Sequence, residues 1–456
     1  MWNADLSRSK SVHLYQQVVD CLAMDIANQI LQTGQRLPTV RVLAQALDVT
    51  PGTINKAFDV AEKQGLIEKR QGRGTFVRSQ IRLKTAPSTM LTGQLQGCNF
   101  TINAPMPLDF DHLINPHLRE LAQSSLAPHW SNHTATNGIE SHLDAISSWV
   151  AQRGVDVSIN HLLLVSGAQQ GILSCLMLLL NQGDNLMVQE CTYPGIKSAA
   201  SLLGINLRPV KMDEQGLDLA HFEQLCQQNT ARILFVMPTA HNPTGRTMDM
   251  AHRKKLVAIA KRHQIILIED DLYLHQQTPP SLQSMLPEQT FYISGFSKCI
   301  LLGLRVGMVI APELWRDELL KVIQVQNWMV SPLLTALLER LIDTGVVEQI
   351  EQIRKQRNSQ RINTAKSILG KLKLEADPVN LHIWLKHPTN VSSADLLLTL
   401  QQKGVDVIAG SFFHANNQSV PSLRLCLGNV SDEELQRGLK CIADTLYRNH
   451  LPSMMF

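Results

Sequence analysis

The apolar positions of the first sixty residues repeat at helical spacing. Residues 14–30 carry an apolar side chain at every fourth position, Leu14, Val18, Leu22 and Ile26, and this spacing predicts an amphipathic helix. A short second helix is predicted after Thr39 and a third after Thr50, because threonine is a good N-cap. Pro51 supports the third start, since a missing N–H costs nothing at the first helical position.

The next segment, residues 66–77, is predicted to form two strands around a Gly-x-Gly turn. Lys69, Arg70 and Arg73 lie near this turn. Two short helices around a tight turn have helix-turn-helix geometry, and a basic hairpin that follows them is a β-wing directed at phosphates. The order of these elements predicts a winged helix-turn-helix that binds double-stranded DNA.

From residue 160 to residue 310 the pattern changes to apolar strands that alternate with amphipathic helices. Six strands are predicted, at residues 161–165, 185–189, 232–237, 265–268, 291–294 and 305–310. Their near-continuous hydrophobicity indicates a sheet that is covered on both faces, hence an α/β domain.

Residues 80–96 show no period and are rich in Pro, Ser, Thr, Gly and Gln, which predicts a linker. We therefore expect a multidomain chain: a DNA-binding domain at residues 1–79, this linker, and the α/β domain at residues 97–456.

The composition fits such a chain. The 456 residues are 44% hydrophobic and 18% charged, as in globular proteins. No apolar run approaches the roughly 20 residues that span a bilayer, and the first residues lack a signal-peptide pattern, so we expect a cytoplasmic protein without a membrane partner. Residues 1–84 carry 12 basic against 7 acidic side chains, whereas the rest carries 30 against 32. The basic excess therefore lies in the predicted DNA-binding domain.

No metal site is predicted. The eight cysteines form no Cys-x-x-Cys pair, so neither a zinc ribbon nor a disulfide framework is indicated. Five histidines crowd residues 112–142, but a metal site also needs acidic or cysteine ligands at defined spacing. We interpret this region as polar surface.

Polar residues follow the predicted strands of the α/β domain, where ligands bind in such sheets. They are the small residues 166–170 at a helix start, which suit a phosphate, and then Asn242, Asp270, Lys298 and Arg305. A single lysine at the mouth of an apolar sheet is what Schiff-base chemistry needs. Singly, Asp270 could cap a helix, Arg305 could pair with a surface acid and Lys298 could be exposed. The combination in this order favours a site.

The N-terminal pattern resembles the GntR superfamily of transcription regulators. Leu-Pro-Thr-Val-Arg, Leu-Asp-Val-Thr-Pro-Gly-Thr and Gly-Arg-Gly-Thr-Phe-Val are similar to its signature stretches and cover most of residues 12–78. The resemblance implies that Arg41, Thr53, Asn55 and Lys56 face the DNA, while Arg70 and Arg73 contact it from the wing. Many relatives carry arginine where this chain has Pro51.

The remaining residues resemble fold-type I pyridoxal 5′-phosphate (PLP) enzymes, the aspartate aminotransferase superfamily, over about residues 97–450. The resemblance implies an α/β domain with a small C-terminal lobe. The resemblance implies that Lys298 forms the Schiff base with PLP and that Asp270 pairs with the pyridine nitrogen. It also implies that Asn242 and Tyr273 bind the ring hydroxyl and that Tyr193 stacks on the ring.

The same resemblance assigns the phosphate and carboxylate contacts. The residues implied for the phosphate are Ala168, Gln169, Ser297 and Arg305. Arg424 matches the arginine that binds a substrate α-carboxylate, although it could instead pair with a neighbouring acid. Two positions depart from the family pattern: Gly295 and Ser294 where a hydroxyl residue is usual three before the lysine, and His133 where many relatives have tyrosine. Both departures weaken the expected phosphate anchoring.

A winged helix followed by such a domain resembles the MocR subfamily of GntR regulators. The resemblance implies a homodimeric transcription regulator that binds PLP and senses PLP, an amine or an amino acid. Two alternatives stay open, namely a working aminotransferase with an appended DNA-binding domain, and a regulator whose aminotransferase fold is only a dimerisation scaffold.

Overall fold

The chain divides into two units, residues 1–83 and residues 84–456. The computed structural model describes residues 13–27, 30–32, 34–63, 66–70, 73–77, 97–124, 135–155, 157–273, 279–370, 372–376, 380–389 and 391–448. The predicted linker and His133 lie outside the described residues.

The N-terminal unit contains three helices and a hairpin, as predicted. They are α1 (Leu14–Ala27), α2 (Val40–Ala46), α3 (Pro51–Lys63), β1 (Ile67–Arg70) and β2 (Gly74–Val77). Both predicted caps are confirmed: Thr39 Oγ1 accepts from the Val42 N–H at 3.5 Å, and Thr50 Oγ1 accepts from the Thr53 N–H at 3.2 Å. Each threonine satisfies an N–H that would otherwise have no partner at a helix start.

The core of this unit joins the helices to the hairpin. It is formed by fully buried apolar residues that include Val18, Leu22, Leu43, Ile54, Phe58 and Val77. Residues 34–37 run beside β2, with the Leu37 N–H donating to Thr75 O at 2.9 Å and the Val77 N–H to Gln35 O at 2.9 Å. The sequence pattern did not predict this added edge, because the residues have no strand period.

The larger unit is built on a seven-stranded sheet. Its strands are β4 (Leu162–Val165), β5 (Asn185–Gln189), β6 (Asn206–Val210), β7 (Ile233–Val236), β8 (Ile266–Asp270), β9 (Thr290–Gly295) and β10 (Gly307–Ile310). The order is β4-β10-β9-β8-β7-β5-β6, and β10 alone runs against its neighbours.

The edge strand β6 was not predicted from the sequence. It contains Pro209, and its first four positions alternate between exposed and half-buried, unlike the continuous apolar runs of the central strands. Proline is tolerated because an edge strand needs hydrogen bonds on one side only.

Helices cover both faces of this sheet, which confirms the α/β prediction. They are α4 (Asp111–Gln123), α5 (Glu140–Ala151), α6 (Ala168–Leu179), α7 (Pro194–Leu203), α8 (Leu219–Gln227), α9 (Met250–Arg262), α10 (Leu282–Met285), α11 (Arg316–Asn327) and α12 (Pro332–Asp343). Alternate residues of each strand enter opposite cores: Leu163 packs with α6 and Leu164 packs with α5.

A smaller lobe follows, as expected. Its antiparallel sheet has the order β11 (Leu374–Glu375), β12 (His382–Lys386), β15 (Ser422–Cys426) and β14 (Ile408–Ala409). A parallel pair joins β3 (Cys98–Asn99) to β13 (Val405–Asp406). The helices are α13 (Val346–Leu369), α14 (Ser393–Gln402) and α15 (Asp432–Arg448). We call these elements the small lobe and the seven-stranded part the large lobe.

The two long strands of the small lobe, β12 and β15, direct alternate side chains to two faces, one of which is the small-lobe core. Ile383 and Leu425 enter the small-lobe core. Because side chains alternate along a strand, His382, Trp384 and Arg424 lie on the opposite face.

Among the described residues, no helix is long and apolar enough to cross a membrane.

The interpretation of residues 112–142 as polar surface was wrong for His142, which is buried. Its Nδ1 lies 2.7 Å from Thr335 Oγ1 and its Nε2 lies 3.4 Å from Glu339.

Candidate functional site

The carboxyl ends of the central strands bring the predicted polar residues to one edge of the large-lobe sheet. Asp270 ends β8, and Lys298 follows β9. Arg424 enters the same region from the small lobe. Lys298 lies within electrostatic reach of both Asp270 and Arg424, because the charge of Arg424 lowers its pKa and the charge of Asp270 raises it.

Asp270 is a carboxyl group without a partner. It is completely buried, and neither oxygen forms a hydrogen bond with any described residue. Burial, followed by the nearby charges of Asp271 and Glu269, raises its pKa to about 8. A buried carboxylate without a partner is costly, so this position suits a cationic group of a ligand.

Lys298 lies close to Asp270. Its ammonium donates a hydrogen bond to the carbonyl oxygen of Asn103. Burial, with the nearby charges of Arg424 and Arg305, lowers its pKa to about 8. A lysine with a lowered pKa is more often unprotonated and therefore more nucleophilic toward a carbonyl group.

A cradle for an anion lies where α6 begins. The guanidinium of Arg305 fills the space beside Gly167, since a Cβ atom at Gly167 would lie 2.7 Å from Arg305 Nη2. Arg305 Nη1 also lies 3.5 Å from Ser297 Oγ. The first N–H groups of a helix have no intrahelical partner. Together, the N–H groups of Ala168 and Gln169 and this guanidinium fit a phosphate.

The hydroxyl that is usual beside this cradle is absent. Gly295 lies near it, because a Cβ atom there would be 3.7 Å from the Ala168 nitrogen. Ser294 does not replace the hydroxyl, since its Oγ donates to Asp271 O at 2.6 Å. The cradle therefore depends on Ser297, Arg305 and the helix start.

Two tyrosines that were predicted to contact the ring lie in different environments, and Gln169, which was predicted to hold the phosphate, lies beside one of them. Tyr193 precedes α7, and its half-buried ring leaves no room for a side chain at Gly195. The Gln169 amide donates to Gly195 O at 3.2 Å and so lies beside Tyr193. Tyr273 OH accepts from Asn103 Nδ2 at 2.9 Å.

Arg424 is buried without an acidic partner among the described residues. Its Nη1 donates to Asn242 Oδ1 at 3.2 Å and its Nη2 to Thr101 O at 2.6 Å. Its Nε has no partner, and its guanidinium carbon lies 4.7 Å from the centre of the Phe413 ring. Among the described residues, Arg424 therefore forms no pair with an acid, which contradicts that alternative.

The sequence analysis missed the segment that crosses this site. Residues 101–106 supply Thr101 O to Arg424 and the Asn103 side chain and carbonyl to Tyr273 and Lys298. The segment has no regular period, because it runs between the lobes without joining a sheet. In the sequence, the dipeptide Ala104-Pro105 directly after Asn103 was the feature that could have indicated an irregular segment here.

In the N-terminal unit, the start of α3 presents the residues that were predicted to meet DNA. Asn55 and Lys56 are exposed and Thr53 is half-exposed, while Arg41 is exposed on α2. The Lys56 ammonium lies 4.2 Å from the centre of the Tyr15 ring. These positions form one end of a helix, the part that enters a major groove in helix-turn-helix proteins.

The wing differs from the prediction at one position. The Lys69 ammonium does not point away from the protein; it lies 2.5 Å from Asp59 and 3.1 Å from Glu62, both on α3. Arg70 is half-exposed, paired with Glu68 at 2.6 Å and stacked over Phe76. Arg73 is exposed at the turn. The basic end of the wing is therefore formed by Arg70 and Arg73.

Two family models match the chain. Residues 98–442 match aminotransferase class I and II, and residues 14–77 match the bacterial regulatory proteins of the gntR family. Each matched segment lies within one of the two structural units.

Relatives match along most of the chain. An uncharacterized HTH-type transcriptional regulator of Bacillus subtilis, YdeF, is 29% identical over 446 residues, which are 96% of this chain and 95% of the relative. The probable rhizopine catabolism regulatory protein MocR of Rhizobium meliloti is 25% identical over 373 residues, 75% of this chain and 74% of the relative.

Solved structures share the fold of the larger unit. Kynurenine aminotransferase of Pyrococcus horikoshii, in complex with PMP, has a TM-score of 0.74 at 20% identity and covers 80% of this chain and 94% of its own. LysN, the α-aminoadipate aminotransferase of Thermus thermophilus, has a TM-score of 0.70 at 22% identity and covers 79% and 94%.

The unpartnered Asp270 gives a prediction about stability. In the unfolded chain this carboxyl ionises near its ordinary pKa of 3.8, whereas the folded, ligand-free protein keeps the proton up to about pH 8. Ionisation therefore favours unfolding progressively between these values. We expect Asp270→Asn to raise the free energy of unfolding relative to the unaltered protein, by an amount that grows from about pH 4 to about pH 8.

Chemical denaturation of the full chain without ligand, measured at several pH values, checks this expectation. Asp444→Asn, at an exposed position of α15, is the matched control. The same pH dependence in both variants would show that Asp270 is not an uncompensated buried acid.

Proposed function

Because the chain belongs to the aminotransferase class I and II family and carries a gntR-type domain at residues 14–77, we propose that it is a DNA-binding transcription regulator controlled by a ligand of its aminotransferase-like unit. Relatives named as HTH-type regulators match both units together. The proposal rests on the presence, in one chain, of a DNA-binding module and a candidate small-molecule site that contains Lys298, Asp270 and Arg424.

We propose PLP as the cofactor. The observation that carries this assignment is the buried carboxyl of Asp270, whose oxygens form no hydrogen bond with the residues that the structure describes and which suits a protonated pyridine nitrogen. Lys298 would hold the aldehyde carbon, and Arg305, Ser297 and the start of α6 would hold the phosphate. When bound, the cofactor supplies a carbonyl group that links covalently to amines and a ring that accepts electrons.

The proposed effector is an amine or an amino acid that reacts at the same carbon. Arg424 would hold an α-carboxylate, because its planar guanidinium matches that group. A ligand can change DNA binding only if it favours one arrangement of the DNA-binding domains over another.

We further infer a homodimer. A C2 dimer carries two winged helices and so can bind two half-sites of one operator.

Aminotransferase activity is the second candidate, since Lys298, Asp270 and Arg424 are all present. An assay for turnover of an amino donor and a keto acid by the purified protein tests this activity. Proton transfer in that reaction falls to the Lys298 amine, whose pKa of about 8 allows it to act as a base near neutral pH.

The first test concerns the lysine. Lys298→Ala should abolish the visible absorbance that appears when PLP links to the protein, because the variant lacks the amine proposed to form that link. The measurement is a spectrum of the full chain with PLP, followed by borohydride reduction and peptide mapping. Lys254→Met, at an exposed position, is the control. A reducible adduct that persists in Lys298→Ala would assign the linkage to another residue.

The second test separates DNA positioning from DNA reading. Asn55→Ala should cost about 1–3 kcal/mol on the operator and relax specificity at one base pair. Arg73→Ala should weaken operator and random DNA alike and reduce the salt slope by about one unit. Titrations of both DNAs at several salt concentrations check this difference. Equal losses on the two DNAs for Asn55→Ala would remove that residue from the set that reads bases.

The third test concerns the effector carboxylate. Arg424→Ala should leave the PLP absorbance intact but weaken the spectral response to alanine about ten- to hundredfold, as expected for the loss of a charged two-point contact. The response to ethylamine, which lacks the carboxylate, should persist. A lower melting temperature with unchanged alanine affinity would instead assign Arg424 a structural role.

A further inference from the structure

A buried lysine joins the large lobe to the small lobe. Lys197 lies one helical turn after Tyr193 on α7 and is only 8% exposed. Its ammonium donates to Phe412 O at 2.6 Å, to His414 O at 2.7 Å and to Asn417 Oδ1 at 3.1 Å. An ammonium has three N–H donors, and here each of them has an acceptor on one small-lobe loop.

The loop that Lys197 binds, residues 410–417, lies under Arg424. Phe413 is fully buried and contacts the Arg424 guanidinium at 4.7 Å and Trp384 edge-on at 5.8 Å. The Thr192 N–H, next to Tyr193, donates to Phe413 O at 2.9 Å. The same loop therefore contacts the segment between β5 and α7 that carries Tyr193, and it packs against the side chain of Arg424.

We propose that Lys197 is a positioning residue that fixes Arg424 relative to the large-lobe part of the site, and that it thereby selects amino acids over simple amines. This proposal rests on the proposed function, in which Arg424 binds an α-carboxylate. Lys197 acts through the 410–417 loop, to which its ammonium donates, and through Phe413.

The physical reason is the geometry of a two-point contact. A guanidinium binds a carboxylate well only when its plane and distance are correct. A surface ion pair would hold the loop weakly, whereas removing one partner of a buried charged group is costly. The buried ammonium with three acceptors therefore holds the loop in one position before any ligand arrives, which lowers the cost of binding.

The experiment compares Lys197→Met with the control Lys254→Met in the full chain. Hydrogen exchange without ligand should increase in residues 410–417 for Lys197→Met alone. With PLP bound, the apparent affinity for alanine should fall about tenfold, while that for ethylamine should change by less than about twofold. The absorbance of bound PLP should not change.

A second variant covers the case in which Lys197→Met does not fold. Asn417→Gly removes one acceptor, and glycine accepts the left-handed backbone at this position, where φ is 55°. It should shift the same quantities in the same direction by a smaller amount.

Equal weakening of alanine and ethylamine, or unchanged exchange of residues 410–417, would overturn the positioning role. Failure of the unaltered protein to develop absorbance with PLP would instead refute the proposed function. In that case the exchange measurement, which uses no ligand, still decides whether Lys197 fixes the loop.

Discussion

A carboxyl group that is buried without a hydrogen bond to any residue the structure describes is the constraint around which the larger unit is organised. Asp270 can occupy this place only because β8 runs through the middle of the sheet, with β7 and β9 beside it and helices on both faces. The protein retains an unsatisfied acid where an apolar side chain would stabilise it more. Such a cost is typical of binding sites, where the missing partner is the ligand.

The site is also a junction between lobes. The large lobe provides the acid, the lysine and the anion cradle, whereas the small lobe provides Arg424. Their relative position depends on contacts that cross between the lobes, through the segment 101–106 and the loop 410–417. Much of the binding chemistry is therefore set by residues that are distant in the sequence.

The sequence predicted what depends on local rules. The central strands, the threonine caps and the order of Asn242, Asp270 and Lys298 all follow from period, capping and strand ends. The sequence could not predict β6, because an edge strand with Pro209 lacks the continuous apolar run. It could not reveal the roles of Asn103 or Lys197, because both depend on contacts between residues far apart in the chain. The ion pairs of Lys69 with Asp59 and Glu62 were not predicted for the same reason, because the folded unit brings α3 and β1 together.

The hydrogen bond between Arg424 and Asn242 has a consequence for the affinities of the proposed ligands. The Asn242 amide has two ends: its oxygen accepts from Arg424, and its NH2 group remains to serve the proposed ring hydroxyl. A ligand at either end alters the orientation and polarity of the same amide, so the two binding free energies are linked. If a carboxylate at Arg424 raises the affinity for the proposed cofactor by some factor, the cofactor raises the affinity for the carboxylate by the same factor. Through the Asn242 side chain, a ligand bound at one subsite thereby changes the affinity of the other subsite for its own ligand.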